Sequence, residues 1–264
     1  MTLLNRSLAP INDEIWSLLN EEARDYLSLK LTGRKLVDIA GPKGSEFAAV
    51  NTGDVKQIES PEANTELMSR TVIPLVELKV PFTLQLNELE KAVRGAEDID
   101  LDPLLAAADK VIQLEDGAIY NGLDTANLAG IKQEAEFQLD LSSNPDDYLS
   151  VIVSGINKLQ DAGVNAPYSL VLNEDLFTAV MSSPDKGYPL YKRLNDLQVK
   201  QILSSPVIKQ GGLLLSARGG DFKFTLGTDL SIGFNKQQGQ KLEFFFTESF
   251  ATRVIAPEAA VGLK

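Results

Sequence analysis

Apolar residues recur with helical spacing near the start of the chain, where Ile15, Leu18, Leu19, Ala23, Tyr26 and Leu27 share one stripe. Asn12 stands where a cap is needed, and Asp13 and Glu14 lie at the positive end of the dipole, so the spacing predicts a helix from about Asn12 to Lys30 ended by Gly33. Ala40 to Ser60 holds Gly41, Pro42, Gly44 and Gly53 among alternating polar residues and reads as extended and partly packed. The period then changes to two. Val76, Leu78, Val80, Phe82 and Leu84 fall on one face and Glu77, Lys79, Thr83 and Gln85 on the other, which predicts a strand. Pro74 and Pro81 lack the donor a central strand needs, so this strand belongs at a sheet edge or in a protruding hairpin. Such an edge is either blunted within a monomer or used to pair with another chain.

A second helix is framed by Asp102 as cap, Pro103 at its first position and Gly122 beyond its end, with Leu104, Leu105, Ala108, Val111, Ile112 and Ile119 facing inward. From Glu134 to Phe222 helices and strands alternate. Asn144 and Pro145 open a helix carrying Leu149, Ile152, Val153, Ile156 and Leu159, which Gly163 closes; Tyr168 to Leu172 and Leu213 to Ser216 read as strands, and Asn173 as a cap. Phe222 to Ile255 reads as successive antiparallel strands with turns at Gly227, Gly233 and Gly239. Helices early, an extended arm, and strands late predict an α+β domain built from distant segments.

Composition narrows the chemistry. The 264 residues contain no Cys and no His, which removes disulfides, thiolate metal sites and the usual neutral-pH general base. A formal net charge of −12 argues against nucleic acid as a partner. No apolar run reaches the roughly 18 residues of a membrane span, and no signal-peptide pattern opens the chain, so a cytoplasmic protein without a membrane partner is expected. The adjacent acids Glu115 and Asp116, like Asp146 and Asp147, point apart on a helix and read as solvated faces. Arg218-Gly219-Gly220-Asp221 precedes a strand and lacks a Lys-Ser/Thr sequel, so it reads as a tight turn and not a phosphate loop. No G-x-S-x-G elbow occurs, and no S-x-x-K pair sits on a helical pattern. No catalytic residue, metal ligand or cofactor is predicted. Without His, net charge, and with it any assembly, is expected to stay constant from about pH 6 to 9.

Four strings resemble one family. The run Arg218 to Gly233 (RGGDFKFTLGTDLSIG) is similar to the most characteristic segment of the encapsulin shell proteins, once described as linocin-like. Arg6-Ser-Leu-Ala-Pro10, Gly33-Arg-Lys-Leu-Val-Asp38 followed by Gly41-Pro42, and Gly187-Tyr-Pro-Leu190 ahead of Lys192-Arg193 agree with it, in family order along essentially the whole chain. The resemblance implies the capsid fold of tailed phages of the Hong Kong 97 type. Residues 1–47, 81–133 and 223–264 would form a peripheral domain, 48–80 an extension loop and 134–222 an apical domain. It also implies a non-enzymatic subunit that assembles with copies of itself into an icosahedral compartment. That compartment would hold a cargo protein, for which a peroxidase or a ferritin-like protein is the expectation, through the cargo's C-terminal targeting peptide. The peptide groove would use Leu27, Leu31, Arg34 and Asp38 on one side and Asp229, Leu230 and Ile232 on the other, although periodicity alone leaves Leu27, Leu31 and Ile232 equally readable as core. Ser182 to Tyr188 resembles a loop lining a five-fold pore, with Asp185, Lys186, Gly187 and Tyr188 setting its character. Some relatives hold a flavin against an aromatic in the segment matching Leu86 to Glu90; Asn87 and the lack of an aromatic there give no such expectation here. The alternatives are a phage-type capsid protein, against which stands the first helix beginning almost at once, or a hydrolase or antibacterial protein.

Overall fold

A computed structural model describes residues 3–141, 147–182, 184–185 and 188–264. The first helix, α1 (Asp13–Lys30), starts where the cap predicts: the Asn12 side chain accepts the Ile15 amide at 3.0 Å. It ends at Leu31, two residues before Gly33, because the Leu31 amide closes the last turn on the Leu27 carbonyl and the chain then forms a separate 3₁₀ turn over Gly33–Lys35. The short strand β1 (Asp38–Ala40) follows, and then a long hairpin of β2 (Ala49–Ile58) and β3 (Leu67–Pro74). β4 (Val76–Gln85) runs into α2 (Leu86–Val93), and α3 (Asp102–Tyr120) takes Leu101 as its cap, with Asp102 already inside the first turn. The short α4 (Ile131–Glu134) and β5 (Phe137–Leu139) lead to α5 (Tyr148–Asp161). Asn144 and Pro145, expected to open that helix, lie outside the described residues.

The next segment alternates as expected: β6 (Tyr168–Leu172), α6 (Glu174–Ser182), the two-residue strands β7 (Pro184–Asp185) and β8 (Tyr188–Pro189), α7 (Leu190–Asp196), β9 (Val199–Ser204) and β10 (Gly212–Ser216). Asn173 engages α6 only through its backbone, whose carbonyl accepts the Phe177 amide; its side-chain oxygen is buried with no partner among the described residues. The chain closes with β11 (Phe222–Leu226), β12 (Ser231–Gln238), β13 (Lys241–Val254) and β14 (Ala260–Leu263). Gly233 is not a turn residue. It sits within β12 opposite Phe245, where a side chain would collide with the phenyl ring, so glycine is required there by packing.

Two five-stranded sheets organise the chain. The first runs β1–β11–β13–β12, with β4 along the other side of β13 from Gln85 opposite Lys241 to Val76 opposite Phe250. Among the described residues β4 pairs with β13 alone, so its outer edge is free, as Pro81, which stands opposite Phe245, requires; Pro74 instead ends β3, opposite Ala49. α1 and α3 cover the inner face. Phe82, Phe244 and Phe246 form its aromatic centre, Phe82 to Phe246 with ring centroids 5.2 Å apart and Trp16 of α1 edge-on to Phe244 at 5.6 Å. The second sheet, β5–β14–β10–β6–β9, is covered by α5 and α6 and includes strands buried at every position, such as β6 and β10.

The division of the chain differs in two places from the sequence expectation. Val76–Val80, read with the extension loop, is part of the first sheet, so the projecting arm is the β2–β3 hairpin, ending before Leu75. β14, read with the peripheral domain, lies between β10 and β5 in the second sheet. Its register with β10 buries Val261 and Leu263 completely, and this long-range pairing leaves no local trace in the sequence.

Candidate ligand groove

The C-terminal half of α1 presents Ala23 and Leu27 one turn apart, with Leu31 following, toward the β11–β12 turn and the start of β12. Between them lies an open groove of about 650 Å³, within the usual size of ligand sites. Leu27, Leu31, Ile232 and Phe246 form an apolar floor, and Leu230 stands half-buried on the far wall. Arg6, Asn20, Arg24, Ser28, Lys35 and Asp229 supply the polar rim. Arg6 ties the two walls together, donating from Nε to the Ile232 carbonyl at 2.8 Å and from Nη2 to Asn20 at 3.1 Å, with its guanidinium over the Trp16 ring.

Six of the seven groove residues expected from the family resemblance are brought together here: Leu27, Leu31, Arg34, Asp229, Leu230 and Ile232. Leu27, Leu31 and Ile232, readable from sequence as core or groove, are each at most 6% exposed and also line the cavity. Asp38 is elsewhere. Its carboxylate accepts the Gly220 amide at 2.5 Å in a separate concavity of about 450 Å³ between the two sheets, with Arg218 and Asp221 ion-paired beside it at 2.8 Å. The Arg218–Asp221 segment is the tight turn the sequence predicts, with Gly219 and Gly220 both left-handed at φ of 83° and 86°.

Beneath the groove the solvated reading of Glu115 and Asp116 fails, because both carboxylates are fully buried. They do point apart. Asp116 accepts the amides of Thr32 and Gly33 at 3.0 and 2.9 Å and the Thr32 hydroxyl at 2.9 Å, while Glu115 holds Arg34 in a bidentate pair at 2.7 and 2.9 Å. Burial pushes the Asp116 carboxyl up to about 6 against these three donors, helped by the charge of Glu115. Arg34 also donates to Glu248 of β13 at 2.6 Å and to Asp229 on the rim at 2.9 Å. Burial opposes its charge, but the bonds and charges of Glu115, Glu248 and Asp229 outweigh that and hold its pKa above the ordinary value. Burial, followed by the charge of Glu115, raises the Glu248 carboxyl well above its usual range. Arg34 therefore belongs chiefly to the protein's own acids, and the groove's accessible cations are Arg24 and Lys35 on its rim. Neither was singled out by sequence reasoning; the helical spacing of Asn20, Arg24 and Leu27 was the signal for Arg24, whereas Lys35 lies in the turn beyond the helix and had only its place beside Arg34 to mark it.

Of the residues expected at a pore, Tyr188 is 42% exposed in β8, and Asp185 is described only through its backbone pairing with Tyr188. Lys186 and Gly187 lie outside the described residues.

The architecture, two sheets with an exposed hairpin arm and a long central helix, is that of capsid shell proteins. It matches a virus-like particle from Pyrococcus furiosus with a TM-score of 0.69 at 16% identity, covering 95% of this chain and 100% of that one. The capsid of Myoviridae phage XM1 matches with a TM-score of 0.59 at 15% identity over 88% and 91%. Residues 1–251 match the family described as "Encapsulating protein for peroxidase", and a type 1 encapsulin shell protein of Rhodospirillum rubrum is 38% identical over 100% of this chain and 97% of its own length. The chain belongs to the type 1 encapsulin shell proteins.

Proposed function

We propose that this shell subunit assembles with copies of itself into a closed particle and retains a cargo protein by binding the cargo's C-terminal peptide in the groove between α1 and β12. The groove itself carries the reading: an open space of about 650 Å³ over an apolar floor that suits Leu or Ile side chains, bordered by polar groups that can orient a peptide backbone. The family description makes a peroxidase the first cargo to consider. In the same reading the first sheet is the peripheral domain, the β2–β3 hairpin the extension loop, and the second sheet the apical domain whose 182–188 segment borders a pore. No helix among the described residues is long and apolar enough to cross a membrane, which suits a subunit of a free particle.

The test uses particles purified from the native host, whose contents are identified by mass spectrometry. Leu230→Asp and Arg24→Glu alter the groove's exposed wall and rim without touching the buried acids. Particles of both variants should assemble and be depleted of the protein found in the wild type. Normal loading of both variants would remove the groove from this role.

A further inference from the structure

Four charged groups meet at the groove floor, and their signs do not balance. The Arg34 guanidinium touches Glu115 of α3, Glu248 of β13 and Asp229 of the β11–β12 turn, one cation against three carboxylates. The Glu115 and Glu248 side chains are fully buried, whereas that of Asp229 is half exposed. The second oxygen of Glu248 has no hydrogen-bond partner among the described residues. A buried carboxylate oxygen without a donor is expensive when charged and tolerable when it carries a proton. Facing Glu248, β4 contributes only Leu78 on this side of the sheet, while Lys79 turns away to cover the Phe245 ring. α3 adds Asp116, which is directed at Thr32 and Gly33. No second cation enters the cluster among the described residues.

We infer that Glu248 is a proton-operated latch on the groove: protonated, it leaves Arg34 clamped between Glu115 and Asp229, and ionised, it releases Asp229 and loosens the groove's outer wall. When Glu248 gains its charge, the floor holds three negative groups around one positive one. Neither Glu115 nor Glu248 can reach water, so the repulsion is relieved by the only carboxylate that can, Asp229. Asp229 also accepts the Leu230 amide at 2.8 Å, and Ser231 donates to its carbonyl at 3.0 Å. Its release therefore frees the turn that carries Leu230 into the groove. The setting of Glu248 agrees, since its charged form is disfavoured by burial first and by the charge of Glu115 second. This rests on reading the groove as the ligand site, but it concerns the wall itself and can be tested with no ligand present.

The experiment is hydrogen exchange of the Thr228–Ile232 segment in the purified protein between about pH 5.5 and 8.5, a span in which unperturbed carboxylates, lysine and tyrosine do not titrate. After correction for intrinsic exchange, wild-type protection should fall by about fivefold or more as pH rises, the lower end of measured couplings between sites. Glu248→Gln should keep the wall protected throughout, and Asp229→Asn should leave it loose throughout. Because Asp116 remains in both variants, a pH step that persists in Glu248→Gln would assign the effect elsewhere and overturn the latch. A flat wild-type profile would also overturn it. Should the glutamine variant fail to fold, a full pH step in Asp229→Asn would do the same.

Discussion

Arg34 Nη2 lies 2.6 Å from Glu248 Oε1 while the same guanidinium grips both oxygens of Glu115, so one side chain from a short turn neutralises acids from a helix and a strand 81 and 214 positions away. Removing one partner of such a buried pair leaves an uncompensated charge, at a cost of about 3–5 kcal/mol. Arg34→Met is therefore expected to lower the denaturant midpoint markedly at neutral pH and less so in acid, where the acids can protonate. Arg34→Glu, an obvious choice for reversing charge in a groove, would add a fourth carboxylate to this cluster and should fail to fold. A midpoint for Arg34→Met equal to wild type at pH 7.5 would show that the pair contributes nothing net.

Gly33 begins the 3₁₀ turn that delivers Arg34. Its φ is not left-handed, so the requirement for glycine is spatial: a Cβ would stand 2.6 Å from Ile119 Cδ1 and 2.8 Å from Asp116 Oδ1. Gly33→Ala should destabilise by about 1–3 kcal/mol, as overpacking in a close-packed interior does. Thermal denaturation compared with Gly95→Ala, a left-handed glycine with open space around it, separates packing from backbone strain.

The β2–β3 hairpin leaves Val55 57% and Met68 58% exposed, and among the described contacts Arg253 anchors it to the body through the Asn51 and Thr52 carbonyls at 3.4 and 3.2 Å. Apolar side chains on a free two-stranded ribbon gain their burial from another chain or not at all. Replacing residues 52–71 by Asn-Gly joins Asn51 to Val72, which already face each other across the ladder. The variant should keep the wild-type circular dichroism and lose the high-mass species in light scattering. Intact particles would show that closure does not depend on the arm.

What the sequence made legible follows from period and caps. α1, β4 and the buried strands announce themselves through spacing, and Pro81 correctly places β4 at an edge, whereas Pro74 belongs to the hairpin strand β3. The misses are long-range. Nothing local distinguishes Glu115 from a solvated helix acid, because its burial depends on Arg34, and nothing local places β14 in the second sheet. Asp38 shared a motif with Arg34, but the chain between them turns it toward Gly220 on another face. A groove built across α1, a turn and β12 can be read from sequence only as a set of candidates, since spacing within one element carries no information about the other.

Absence of His suggested a charge plateau near neutrality, and Asp116 breaks it. Its carboxyl is raised from 3.8 to about 6, chiefly by burial. A folded-state pKa above the unfolded one means that the folded protein binds the proton more tightly, so stability is greatest below the unfolded value, falls as pH rises through the window, and is level above about 6. A shift of about two units corresponds to about 3 kcal/mol in full, of which about 1.4 kcal/mol is lost between pH 5 and 7.5. Glu248 is shifted in the same direction and adds a loss of the same sign as it ionises. The measurement is the denaturant midpoint of wild type and Asp116→Asn across that range. The asparagine variant carries a constant penalty, because its amide group opposes one of the three donors from Thr32 and Gly33, but its curve should be flatter than that of wild type by about the stated amount. Parallel curves would mean that the three donors fully offset the burial of Asp116, and that its carboxylate is ionised at every pH at which the fold exists.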